Sequence, residues 1–168
     1  GATFTPGPGN ATGTVSWTPG YFHAGTYSVS FFASAGALAA TATTAITITN
    51  VDRAPVMSAP AAASVAETGV LSVTVNAADA DGDALTALTA NLAGLPAGHN
   101  ATFVAGPGNT SGTLTWTPTF ADSGSYSVSF TATNAMSGSA TTSLRVTNVD
   151  RAPNVAAAPS ASVAEGSP

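Results

Sequence analysis

Gly112-Thr113-Leu114-Thr115-Trp116-Thr117-Pro118 and Asp122-Ser123-Gly124-Ser125-Tyr126-Ser127-Val128-Ser129-Phe130 decide how this chain folds. In both stretches apolar and hydroxyl-bearing residues alternate. Leu114 and Trp116 stand against Thr113 and Thr115; Tyr126, Val128 and Phe130 stand against Ser127 and Ser129. Successive side chains of a strand point to opposite faces, so each stretch buries one face and turns a hydroxyl-rich one to water. Leu71-Ser72-Val73-Thr74-Val75 and Ser143-Leu144-Arg145-Val146-Thr147 repeat the pattern. Turn signals separate the runs: Asp81-Gly82-Asp83, Gly94-Leu95-Pro96-Ala97-Gly98, Gly106-Pro107-Gly108-Asn109 and Ser123-Gly124. No amphipathic helical period competes. The expectation is an all-β sandwich with about seven strands, near 61–67, 70–78, 84–91, 101–104, 111–116, 124–133 and 139–149.

The same words occur twice. Trp17-Thr18-Pro19 answers to Trp116-Thr117-Pro118, and Tyr27-Ser28-Val29-Ser30-Phe31 to Tyr126-Ser127-Val128-Ser129-Phe130, about 99 residues apart (126 − 27). Thr49-Asn50-Val51-Asp52-Arg53-Ala54-Pro55 recurs as Thr147 to Pro153, offset by about 98 (147 − 49). A period of about 100 residues reads as modules in tandem. The expected organisation is the C-terminal half of one module over 1–52, a complete module over 53–150, and a linker with the first strand of a following module over 151–168.

Composition narrows the function classes. Charged residues make up 7% of the 168, against roughly 25% in ordinary soluble proteins. The three cations are Arg53, Arg145 and Arg151, and the formal net charge is −5. Such a chain lacks the basic footprint that nucleic acid or an anionic membrane surface requires. No apolar run of about 18 residues is present for membrane insertion. With no cysteine, disulfide and thiolate chemistry are excluded.

Asp122-x-Gly124-x-Tyr126 has the form of a tyrosine corner, in which a buried tyrosine hydroxyl bonds back to the turn before its strand. The first unit carries His23-Ala24-Gly25-Thr26-Tyr27 at that place, so the acid is dispensable. The order of motifs is a Pro-containing linker, Val65-Ala66-Glu67, Ala78-Asp79-Ala80-Asp81-Gly82-Asp83, Gly94-Leu95-Pro96-Ala97-Gly98, Gly112 to Pro118, Gly124 to Ala132, and Val146 to Pro153. Over essentially the whole chain it resembles the immunoglobulin-like, or dystroglycan-type cadherin-like, repeat of large bacterial surface and secreted proteins. The resemblance implies tandem immunoglobulin/cadherin-like β-sandwiches, an extracellular or cell-surface location, and a role as spacer or stalk.

The acids cluster. Asp79, Asp81 and Asp83 share one turn, Glu67 ends the first strand, and Asn50 and Asp52 lie in the linker. In cadherin-like repeats equivalent positions converge at the junction on calcium, so the resemblance implies a site made of Asn50, Asp52, Glu67, Asp79, Asp81 and Asp83. Calcium takes six to eight oxygens, and these side chains supply the right type. Arg53 and Ala54 depart from the cadherin linker. Two other readings therefore stand beside calcium: Arg53 paired with Asp52 or an acid of the turn, and a solvated polar hairpin. The second junction offers Asn148, Asp150 and Glu165.

No catalytic constellation is visible. His23 and His99 have no nucleophile in a shared motif, and Asp79 with Asp83 is a poor glycosidase pair in an inter-module turn. The expected function is a structural repeat of an extracellular rod, stalk or filament. The alternative is an adhesin or carbohydrate-binding module, for which the first unit's Tyr21 and Phe32 offer a contact face. Adjacent modules of the array are the expected partners. Homopolymer formation by strand addition from 151–168, lateral self-association, and glycans on Asn10, Asn100 or Asn109 are further possibilities.

Overall fold

The computed structural model describes residues 1–166. Twelve strands follow one another: β1 Thr3–Pro6, β2 Gly13–Ser16, β3 Gly25–Ala35, β4 Leu38–Ile48, β5 Val56–Ser58, β6 Ala62–Ala66, β7 Leu71–Ala78, β8 Ala87–Asn91, β9 Thr102–Ala105, β10 Ser111–Trp116, β11 Gly124–Thr133 and β12 Ser137–Thr147. The chain is all-β, with short 3-10 turns between strands.

β5 to β12 form one closed sandwich. One sheet has the order β5-β7-β10-β9 and the other β6-β12-β11-β8. All pairs are antiparallel except β6 beside β12. The alternation dictates the layers. In β7 Leu71, Val73, Val75 and Ala77 are buried, and every residue between them is exposed. Leu114 and Trp116 of β10 meet Val128, Phe130 and Ala132 of β11 and Leu144 and Val146 of β12 in one core. Each large side chain so buried contributes about 1.5–3 kcal/mol. Trp116 stands edge-on to Tyr126 at 5.4 Å.

The strand expected over 61–67 is β6, but a short strand that was not expected, β5, precedes it. β5 pairs with β7, the chain crosses between sheets at Ala59-Pro60-Ala61, and β6 then pairs with β12. Pro60 has no N–H to offer a ladder, so it suits the crossing point. The buried Thr142 Oγ1 donates to Pro60 O at 2.7 Å and holds the crossing against the core.

Residues 3–48 repeat the C-terminal half of that sandwich. Phe4 faces Val15 as Phe103 faces Leu114, and Tyr27 faces Ile46 as Tyr126 faces Leu144. The tyrosine corner is made in both units. Tyr126 donates to Asp122 O at 2.9 Å, and Tyr27 to His23 O at 3.0 Å. What differs is cover. Phe31 is half-buried where Phe130 is fully buried, because no counterpart of β5 to β8 lies over it among the described residues. Residues 151–166 form no strand.

Candidate functional site

β7 delivers the acids to one pole of the sandwich. It ends at Ala78, and Asp79-Ala80-Asp81-Gly82-Asp83 folds into a turn whose Gly82 adopts φ +82°, a conformation costly for other residues. Asp79 shapes the turn. Its Oδ1 accepts the N–H of Asp81 at 2.8 Å and of Asp83 at 3.2 Å, and its Oδ2 accepts Asn134 Nδ2 at 2.8 Å. A side chain bonding to the backbone two residues on is the ordinary way an Asp closes a turn.

Arg53 covers the same turn from the linker. Its backbone N–H donates to Asp81 Oδ2 at 2.7 Å, its Nε to Asp81 Oδ1 at 2.5 Å, and its terminal NH2 group to Ala80 O at 2.5 Å. Its guanidinium lies over the ring of Tyr21, 3.8 Å from the centroid. Phe22 adds a contact beside Gly82, where a Cβ would stand 3.4 Å from its ring. Of the readings left open for Arg53, the pair with a turn acid is the one formed, and the acid is Asp81.

Charge is uneven within the cluster. One carboxylate oxygen from each of Asp79, Asp81 and Asp83 falls within 4.8 Å of the others, a spacing that one cation can bridge. Neighbouring atoms penalise the Asp79 charge, but the two turn N–H groups, Asn134 and Arg53 outweigh them and hold its pKa below the ordinary value. Asp52 shifts the other way. Partial loss of solvent comes first, then Asp83 and Asp81 nearby, and together they raise its pKa despite the Asn50 amide that bonds it at 2.5 Å.

Of the six expected ligands, Asp79, Asp81 and Asp83 share the turn, Asp52 lies near enough to feel Asp83 and Asp81, Asn50 bonds Asp52, and Glu67 is elsewhere. Glu67 lies before β7 and Asp79 after it, so the strand's length separates them. The Glu67 carboxylate sits at the opposite pole, where Oε2 accepts the N–H of Val149 at 2.8 Å. Oε1 is buried with no hydrogen-bond partner among the described residues. Glu67 therefore belongs with Asn148 and Asp150, in the place that was expected of Glu165. The linkers themselves repeat: Asn148 Nδ2 donates to Asp150 Oδ1 at 2.8 Å, as Asn50 does to Asp52.

A family model described as "Bacterial Ig domain" matches residues 52–147, spanning β5 to β12. The chain belongs to the bacterial Ig domain family. No curated protein matches it. Among solved structures the bacterial Ig domain is similar to the protocadherin GammaB4 extracellular domain, at 16% identity and TM-score 0.50, over 87% of this chain and 24% of that one. It is also similar to the endo-fucoidan hydrolase MfFcnA4 of glycoside hydrolase family 107, at 24% identity and TM-score 0.42, over 89% of this chain and 22% of that one. A third likeness is to titin M4, at 15% identity and TM-score 0.42, over 58% of this chain and 100% of that one. The bacterial Ig chain thus spans about a fifth of the length of the hydrolases that it matches.

Other candidate residues of this bacterial Ig domain serve the fold. His23 Nδ1 accepts the Gly20 N–H at 2.8 Å, the place that Asp122 fills by accepting the Thr119 N–H at 2.7 Å. His99 Nδ1 accepts the Ala101 N–H at 3.1 Å. Asn109 Nδ2 donates to Leu85 O at 2.9 Å, and Asn100 Oδ1 accepts the Thr117 N–H at 3.1 Å. Tyr21 is the role that pairwise reading of the sequence missed. It is not an extra aromatic: Phe120 takes the same place in the second unit and stacks on Arg151 at 4.1 Å. The signal was there in the constant offset of about 99 (120 − 21).

Proposed function

We propose that this chain is a stretch of an extracellular spacer, built of immunoglobulin-like modules strung end to end into a rod or stalk. The observation that carries the reading is polar opposition. The chain enters the complete sandwich beside the Asp79–Asp83 turn, where Arg53 meets Asp81, and leaves it beside Glu67, where Val149 is held. Entry and exit at opposite ends of β7 line modules up in series. Strands of about ten residues reach roughly 33 Å, so each module adds about 35–45 Å of length. Small-angle scattering on arrays of increasing module number tests this. Maximum dimension should grow linearly by that increment, and growth with the square root of module number would defeat the rod.

Calcium at the junctions is the second reading. It is supported by the spacing of Asp79, Asp81 and Asp83 and by the unpartnered Glu67 Oε1, a buried acceptor that a cation would satisfy. One whole site would draw Glu67, Asn148 and Asp150 from one pole and an acidic turn from the next module. Arg53 competes with it, because both Asp81 oxygens are already bonded. Binding at the weak end of the extracellular range, near 10⁻³ M, is the expectation. Calorimetric titration with calcium up to about 10 mM decides, on the chain extended after Arg151 by a second copy of residues 54–150 so that one whole site is present; silence over that range removes the ion. An adhesin role for Tyr21 has less support, because Arg53 already occupies its ring face.

A further inference from the structure

Two poles of this chain carry the same device. At the first junction Arg53 is held from both sides. Tyr21, which precedes β3, lies under its guanidinium, and Asp81, which follows β7, bonds it in two places. One side chain therefore ties the first unit to the second. At the far pole Arg151 stacks on Phe120 in the same way, and the Asn148–Asp150 bond repeats the Asn50–Asp52 bond. Among the described residues Arg151 makes no ion pair, and its side chain is exposed.

The comparison separates what orients the arginine from what binds it. Arg151 lies on its ring without an acid, so the aromatic ring and the linker bond pre-set the guanidinium. Asp81 is then a second partner captured by an arginine already in place. Stacking of a guanidinium on an aromatic face and its fixed fork of donors are both properties that lysine lacks or shows weakly. The fork fits a carboxylate beside a peptide oxygen, which is what Asp81 and Ala80 O present.

We propose that the pole formed by Phe120, Asn148, Asp150 and Arg151 is a docking surface for the Asp79–Asp83 type of turn on another module of this kind. The stacked arginine acts there as the built-in cation of the joint, so the joint closes without metal. This rests on the reading of the chain as a serial spacer. The occupant is argued from the first junction, where that turn already sits on the equivalent arginine. Orientation between modules is then set by a ring and a guanidinium, both stiff and planar.

The test extends the full chain by appending a second copy of residues 54–150 after Arg151. Relative tumbling of the two complete modules is read by NMR relaxation and residual dipolar couplings, in chelator throughout. The expected result is one shared alignment and one rotational correlation time. Arg151→Ala and Phe120→Ala should each split them into two independent bodies, and Arg151→Lys should split them in part. Unchanged melting of the modules would show that both remain folded. Charge exchange supplies a control: Arg151→Asp should uncouple the modules, and adding Asp81→Arg in the appended copy should restore some coupling. Shared tumbling that ignores Arg151 overturns the latch and leaves the rod standing. Independent tumbling in chelator that becomes shared with calcium overturns the latch in favour of the metal. Independent tumbling under both conditions overturns latch and rod together.

Discussion

Arg53 grips Asp81 twice, from its backbone N–H at 2.7 Å and from its Nε at 2.5 Å, across 28 residues of sequence. The Asp81 side chain is almost completely buried and the Arg53 side chain is 37% exposed. Removing the arginine side chain strips that carboxylate of its cation while leaving it buried. Arg53→Ala should therefore destabilise the complete module. Allowing for screening of the exposed guanidinium, the expected loss is about 1–2 kcal/mol. Denaturant unfolding checks this. Arg53→Ala combined with Asp81→Asn should lose less than the two single changes together, because they remove one interaction. Strict additivity would show that the pair does not couple.

Gly138 opens β12 under the linker. A Cβ built there would come within 1.8 Å of Pro55 O, a backbone atom that has no rotamer to yield. Gly138→Ala should push Pro55 away and cost about 1–3 kcal/mol, the usual range for overpacking. The cost should show as a lowered unfolding midpoint, together with amide shifts in β5 and around Arg53. Shifts confined to residues next to Gly138 would mean that the linker is not pinned there.

Tyr126→Phe deletes one hydrogen bond and nothing else, since the ring stays in the core beside Trp116. The Asp122 carbonyl loses its donor, and about 1 kcal/mol of stability should go with it. Tyr27→Phe should cost less, because the matching bond at His23 lies in an exposed setting. Equal losses at the two positions would argue that the first corner is covered in solution.

Two carboxyl groups of the joint should titrate on opposite sides of the ordinary aspartate value. Asp79, with its pKa lowered, contributes stability that is present above the ordinary value and is lost as pH falls through its depressed one. Asp52, with its pKa raised, works in reverse. Partial loss of solvent, and then Asp83 and Asp81, disfavour its ionisation, so its contribution worsens as pH rises from the ordinary value through the raised one. Carboxyl carbon shifts followed from pH 2 to pH 7 separate them, with Asp52 the later of the two to ionise. Removing the Asp83 charge by Asp83→Asn should bring Asp52 part of the way back toward its ordinary value, the share due to lost solvent remaining. A midpoint for Asp52 that ignores this change would show that Asp83 contributes nothing.

The strands were legible because period-2 alternation is a local property. The buried faces of β7, β10, β11 and β12 follow the apolar positions of the sequence, with Thr142 the polar exception, held by its bond to Pro60 O. Strand β5, just before Pro60, was not legible, because Val56-Met57-Ser58 is too short for an alternation to show; only the sheet order reveals that it and β6 belong to different sheets. The acidic turn was legible as a cluster because its three carboxylates lie within five residues. Glu67 was assigned to the wrong end, since nearness along the chain says nothing about which pole a strand's start will occupy.

What the sequence determined by itself is the repeat, the all-β sandwich, the two tyrosine corners and the gathering of acids in one turn. These follow from alternation, spacing and turn chemistry, which act over a few residues. The tertiary structure decided the partners. It set Arg53 on Asp81 rather than on its neighbour Asp52, put Tyr21 and Phe120 under the two arginines, and carried Glu67 to the far pole. Those choices depend on how strands of about 30 Å carry distant residues to one end or the other. No local pattern encodes that, because the same side chains at the same spacing would meet different neighbours if the strand between them ran the other way.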